Sequence, residues 1–469
     1  MAIASTNKIV LSGPIIAVAV ASIIVAITFE NGFYLLSCLL TLYGILLLLW
    51  RQNRPGILVF AFLMQWTQVF AYVIWMNVMG WDIDRLSPHG GIAVMMACLG
   101  IITMAGVLSL VIRPMPIPTR QQFIEQARLI NERKILILYL FSTLFLGGLG
   151  FIVGGNSGLA QILLTLSSLK WVFFLVYAYV SWLNKKNRLI LGVIILFEFS
   201  TALYSYFSSF KEVILFTIIL ALTFVRKISF KQFLYGILVI LFLGFLLITW
   251  TAIKSDYRNY LNGGTRQQVI EVSRGDAFSK ISEKIGNIGW KDYQQAMVMF
   301  LYRVQYIYHL AKTMDRVPEI LPHEGGGLWW ENISFVLVPR LFYPEKPIYE
   351  ATKKTAKYTG IHYAGLRQGA SFSLGYYADC YIDFGYTGML FPLVLIALFV
   401  AFIYRSFYKL TKLNILFRFA LINVSLFEYT SFEADGLFLF GRLLLMFLVF
   451  YTLSRTVLNP LQKWLYKAK

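Results

Sequence analysis

The chain has 469 residues, of which 58% are hydrophobic and only 14% charged, and its formal net charge is +19. Globular chains run at roughly 45–50% apolar and about 25% charged, so a soluble domain is excluded for want of polar surface. Repeated apolar runs of about 20 residues, the length that crosses a hydrocarbon core, point to an all-α polytopic membrane protein.

In chain order, apolar segments at 9–28, 33–50, 56–79, 92–112, 135–154, 159–182, 189–207, 213–225, 233–251, 386–404, 416–432 and 436–454 predict twelve transmembrane helices. The first is too long for a signal-peptide core and reads as a membrane helix. Cys38 and Cys98 fall inside spans and Cys380 in a loop, with neither disulfide nor metal spacing among them. With the N-terminus inside, the cytoplasmic connections and both tails hold 22 Lys/Arg against Glu125 and Glu132 alone. That asymmetry is the positive-inside pattern. It places both termini in the cytoplasm and explains most of the +19 without nucleic acid.

Between the ninth and tenth spans lies a long outer segment that holds 16 basic and 13 acidic residues. Structureless loops beyond about 12–15 residues are uncommon, and this one is not low-complexity. Residues 266–285 and 291–316 read as amphipathic helices, the second from the 3–4 spacing of Met297, Phe300, Leu301, Val304, Tyr308 and Ala311. Leu328 to Phe342 is apolar but too short to span, and reads as an interfacial or re-entrant piece with Trp329 and Trp330 at headgroup depth. The domain organisation is therefore 1–251, a bundle of nine helices; 252–385, a partly helical loop domain on the outer membrane surface; and 386–469, three helices and a cytoplasmic tail.

The densest constellation is Val338-Pro339-Arg340-Leu341-Phe342-Tyr343-Pro344-Glu345-Lys346-Pro347. Its prolines fix the backbone and disfavour helix, which holds Arg340 and Lys346 on a rigid turn. One reading is a stiff connector with two snorkelling cations. The other is an anion clamp, a guanidinium fork and an ammonium placed for a phosphate or diphosphate. Arg303, on an amphipathic helix, and Arg367, in Gly365-Leu366-Arg367-Gln368-Gly369, are further candidates, and Lys211 at an outer helix turn could add positive potential.

Pro-Arg-x-x-x-Pro-x-Lys-Pro in a long outer loop among about a dozen spans resembles the oligosaccharide repeat-unit (O-antigen, Wzy-like) polymerases. The likeness continues through Ser371-Phe372-Ser373-Leu374-Gly375 to Asp379-Cys380-Tyr381-Ile382-Asp383-Phe384-Gly385-Tyr386-Thr387-Gly388, where Asp379 stands at a position that family usually fills with Glu. The resemblance implies a GT-C-like fold shared with lipid-linked glycosyltransferases. It implies a glycosyltransferase at the outer face of the bacterial inner membrane that moves a growing glycan from undecaprenyl diphosphate to the next lipid-linked repeat unit. Its partners would be the lipid-linked donor and acceptor, membrane lipids, a flippase and a chain-length regulator. No metal and no cofactor is expected, because the lipid diphosphate is the leaving group.

Cleaving a C1–O bond to a diphosphate develops negative charge that placed cations stabilise. The acceptor hydroxyl needs a base, for which Asp379 is the first candidate, with Asp383 one helical turn on and His323 behind it. Lys170 and Glu198 lie within spans, where ionisable groups are functional suspects and can pair. Two other readings stand beside the polymerase. A glycan ligase of the same fold type differs only in its acceptor. A lipid-linked-oligosaccharide flippase suits twelve spans, but the chain shows no halving symmetry of the kind many transporters carry.

Overall fold

The computed structural model describes residues 10–11, 13–146, 158–203, 210–225, 227–263, 272–338, 343, 345–347, 349–363 and 371–467. Apart from the two-residue strands Val10–Leu11 and Lys227–Ile228, which pair in parallel, the regular structure described is helical. Every apolar segment of the sequence begins or contains a helix. Among the described residues seven helices are long and apolar enough to cross a membrane: Gly32–Leu49, Ile57–Val78, Gly90–Ile112, Leu159–Asn184, Phe230–Leu261, Leu390–Tyr408 and Gly436–Thr456. The protein is a helical membrane protein.

The remaining apolar segments form shorter helices. Gly13–Ala26 ends before its apolar run does, Glu132–Phe141 passes into a π turn at Ser142–Leu146, and Arg188–Leu203 is helical as far as its segment is described. Ile415–Ser425 gives way to a 3-10 turn at Phe427–Thr430, where Glu428 and Ser431 interrupt the apolar run. Helix starts follow local chemistry. Thr119 with Gln122 and Ser229 with Gln232 form capping boxes that satisfy backbone N–H groups otherwise left open. Asp435 caps Gly436–Thr456 by accepting from Phe438 N–H at 3.2 Å.

The Gly90–Ile112 helix is central, packing on Gly32–Leu49, Ile57–Val78, Leu390–Tyr408 and Ile307–Met314. The last of these belongs to the long segment, whose residues 306–317 and 374–382 share one continuous apolar core with the bundle. The segment is thus keyed into the bundle along part of its length, beyond the surface-resting domain the sequence suggested. A separate small cluster, Trp250, Ile253, Tyr257, Leu261, Ala277 and Ile281, joins the end of Phe230–Leu261 to the Arg274–Gly286 helix.

The amphipathic stretch 291–316 is two helices, Trp290–Val304 and Ile307–Met314, parted by a turn at Gln305 and Tyr306. Cys380 lies buried within the Tyr376–Gly388 helix and not in a loop. Gly385 interrupts that helix at φ 68°, ψ −166°. Only glycine occupies that region freely, which accounts for the glycine of Phe384-Gly385 and for the bend into Leu390–Tyr408.

Candidate functional site: a cation cluster and a buried ion network

Two constellations draw on the short stretch 433–436, one through Glu433 and the other through Asp435 and Gly436. The first is made of cations. Lys211 opens the Phe210–Phe224 helix, Lys254 and Arg258 lie one turn apart near the end of Phe230–Leu261, and Arg303 stands in the last turn of Trp290–Val304. The charge of Lys211 is felt with those of Arg303, Arg258 and Glu433, and that of Lys254 with Arg303, Arg258 and Lys211. Among the described residues no carboxylate lies within ion-pair distance of Lys211, Lys254 or Arg303. Lys211, Arg303 and Glu433 are exposed, and Lys254 and Arg258 half-buried. Like charges repel, so the gathering of Lys211, Lys254 and Arg303, with no carboxylate paired to them among the described residues, favours an anion from outside.

The second constellation is buried and matched. Lys354, on the Ala351–Thr359 helix, places Nζ 2.8 Å from Asp379 Oδ1, 3.0 Å from Asp379 Oδ2 and 3.2 Å from Asp435 Oδ2. Tyr349 O–H donates to Asp435 at 2.7 Å, and Gly436 N–H to Asp379 at 2.8 Å. A Cβ on Gly436 would stand 2.9 Å from Asn332 Nδ2, so only glycine lets the backbone come this close. Burial alone would lower the Lys354 ammonium, but the two carboxylates raise it well above its ordinary value. Burial and the Asp435 charge push the Asp379 carboxyl up, against the ammonium. Two carboxylates sharing one cation leave a surplus of negative charge. Burial pushes the Tyr306 hydroxyl up, the charges of Glu433 and Asp435 add to this, and the Lys354 ammonium opposes it.

The structure assigns the sequence candidates as follows. Lys211 and Arg303 come together in the cation cluster. Arg340 and Arg367 lie outside the described residues. Asp379 is 1% exposed. Its oxygens accept from Lys354, Gly436 and, at 3.5 Å, Asn332, so the carboxylate is engaged by the chain itself. Asp383 accepts from the backbone N–H of Leu328 at 3.1 Å and Trp329 at 2.7 Å, so it caps the Gly327–Leu337 helix from a distant element. Burial pushes its carboxyl up, against those bonds.

Lys346 does the complementary work at the other end of that helix. Its ammonium donates to the carbonyls of Phe335 and, at 2.7 Å, Val338, and lies over the Phe335 ring. A carboxylate at the N-terminus and an ammonium at the C-terminus both match the helix dipole. These two residues, expected at the chemistry, clamp the Gly327–Leu337 helix. His323 is exposed and rests its Nδ1 3.1 Å from the Ile382 carbonyl, beside the Tyr381 ring. Lys170 and Glu198 form an ion pair at 3.2 Å, with Tyr139 O–H donating to the other Glu198 oxygen at 2.5 Å.

Sequence reasoning missed Lys254, Arg258, Lys354, Glu433 and Asp435 as site residues. The first two had a signal. They stand four residues apart beyond the ~20 residues needed to span, on one face of a helix that runs on to Leu261. Lys354 was hidden among Lys353 and Lys357, a run that resembles a solvated face. Its register with the buried Ala351 and Tyr358 was the clue.

Residues 57–457 match the family described as Domain of unknown function (DUF8712), and the chain belongs to that family. No curated protein and no solved structure matches it.

Proposed function

We propose that this DUF8712 member is a lipid-linked glycosyltransferase that polymerises diphosphate-linked oligosaccharide repeat units, with the cation cluster as the diphosphate site. The observation that carries the reading is the meeting of Lys211, Lys254, Arg258 and Arg303 from three separate helices beside the exposed carboxylate of Glu433. In the reaction an acceptor hydroxyl attacks the anomeric carbon and gives its proton to Glu433. The C1–O bond to the lipid diphosphate breaks, and the bond's electron pair leaves with the diphosphate onto the cations. Preorganised charge of this kind acts where negative charge develops, and no metal is called for in this scheme.

The accompanying topology is twelve spans of GT-C-like arrangement in a bacterial inner membrane, with the cluster at the outer face and both termini in the cytoplasm. The positive-inside pattern supports that orientation, and the twelve apolar segments support the span count.

The test uses the full chain in lipid nanodiscs with an undecaprenyl-diphosphate-linked repeat unit. Wild type is expected to lengthen the glycan without added ions or nucleotides. Arg303→Gln with Lys254→Gln is expected to lower kcat by about 10²–10³, and Glu433→Gln by about 10²–10⁴. Undiminished polymerisation by the double variant rules out the diphosphate site. Movement of the lipid across the bilayer without bond formation identifies a flippase, and transfer only to a lipid A core identifies a ligase.

A further inference from the structure

A cleft of about 460 Å³ opens between the Gly327–Leu337 and Ala351–Thr359 helices, with Lys354 of the buried network in its lining. Small-molecule sites fall in the range of about 300–1,000 Å³, so it is large enough for a short stretch of sugar. We propose that this cleft is a second glycan subsite that takes the acceptor end of the substrate, and that it is built for a neutral or amino sugar. The chemical origin of that ligand rests on the glycan-transfer reading above.

The charges among the described residues argue against a diphosphate here. Three lysines line the cleft, yet each is committed. Lys353 pairs with Glu350 at 3.0 Å, Lys357 with Glu324 at 3.1 Å, and Lys354 with Asp379 and Asp435. Glu331 also lines the cleft, is exposed, and has no ion pair or side-chain hydrogen bond among the described residues. A free carboxylate beside lysines that are all paired, among the described residues, disfavours phosphates and uronates. It accepts hydrogen bonds from vicinal hydroxyls or from an ammonium, bonds strengthened by its charge.

The rest of the lining suits a sugar. Phe335, Tyr349 and Tyr358 contribute ring surface, and the Asn332 amide contributes a planar polar group. One wall is held rigid, because the Gly327–Leu337 helix is fixed at its ends by Asp383 and Lys346. The same helix packs on the membrane-length helix Gly436–Thr456 and exposes Trp330 and Leu337. Those side chains suit a membrane interface, where a lipid-anchored glycan would arrive.

The floor connects the cleft to the chemistry. Lys354 lines the cleft and pairs with Asp435, two residues from Glu433. The acceptor sugar in the cleft and the donor diphosphate on the cations would then flank one short stretch of chain.

Photocrosslinking in the full chain tests the assignment. Benzoylphenylalanine is placed at Glu331 in one variant and at Arg303 in another, each in nanodiscs with repeat units radiolabelled in the sugar. Labelled glycan adducts from both positions are expected. An adduct from Arg303 alone, or a phospholipid adduct at Glu331, overturns the cleft proposal and leaves the polymerase reading standing. No labelled adduct from either position overturns both. In the transfer assay Glu331→Gln is expected to raise the acceptor KM about tenfold, the loss of one charge-assisted hydrogen bond, with donor KM and kcat held. An unchanged acceptor KM overturns the proposal independently.

Discussion

The cation cluster and the Lys354 network hold similar numbers of charges a short way apart, yet they are opposites in design. In the network one ammonium and two carboxylates are largely buried and matched to one another by hydrogen bonds. In the cluster four cations come together with no carboxylate on three of them among the described residues. A matched buried charge serves architecture, because its partners are supplied by the chain. An unmatched open charge costs folding free energy and persists where something outside the chain completes it. The residues nearest the recognisable motif, Asp379, Asp383 and Lys346, fall on the architectural side of that division.

The comparison breaks most readily at Lys354. Lys354→Met leaves two carboxylates buried without a cation, and removing one partner of a buried pair costs about 3–5 kcal/mol. The variant is expected to unfold at markedly lower temperature in detergent, with low yield. Adding Asp379→Asn should recover part of the loss by removing one orphaned charge. Arg303→Gln is expected to melt at or above the wild-type temperature, since it relieves repulsion. If Lys354→Met and Arg303→Gln melt alike, the division between the two regions is wrong.

That division also explains how far the sequence could be read. The seven membrane-length helices were legible because hydrocarbon imposes a length and an apolar composition that no other environment requires. The Asp379/Asp383 spacing would put both carboxylates on one face of a helix, but the sequence pattern sets Cys380 between them in a loop, and spacing cannot say what each carboxylate meets. Asp379 meets Lys354, 25 residues back in the chain, and Gly436, 57 residues ahead, while Asp383 meets the start of a helix 55 residues earlier. Lys346 looked like a ligand clamp because a cation among prolines carries no sign of the carbonyls it will cap. Glu433 was passed over because its role depends on cations from three distant helices. Charge is legible in a sequence, but pairing is a tertiary property.

A smaller effect is expected at the clamped helix. Asp383→Ala removes the acceptor for Leu328 and Trp329 N–H and should cost about 0.5–2 kcal/mol, the range for loss of a helix cap. Hydrogen exchange should quicken in the first turn of Gly327–Leu337 while the Ala351–Thr359 helix stays protected. Faster exchange across both helices would place Asp383 within the Lys354 network and not beside it.

The smallest effect sits at a pair of intermediate kind, partly buried and only partly matched. Asp315, after the Ile307–Met314 helix, accepts from Ser87 at 2.8 Å and Lys312 at 3.1 Å and lies 2.9 Å from His89 Nδ1. Burial pushes its carboxyl up, but the hydrogen bonds from His89, Ser87 and Lys312 more than offset this and hold it below the ordinary value of 3.8. A carboxyl with a depressed folded pKa contributes stability that is present above its unfolded value and is lost as pH falls through the folded one. Local protection of Ile307–Met314, corrected for the intrinsic pH dependence of exchange, should therefore weaken only below about pH 4. Asp315→Asn should show the weakened protection at neutral pH and no further acid loss. Because this helix packs on the central Gly90–Ile112 helix, the loosening should stay local. Acid loss that persists in Asp315→Asn would move the titrating group elsewhere, and the buried Asp379–Lys354–Asp435 network would be the next place to look.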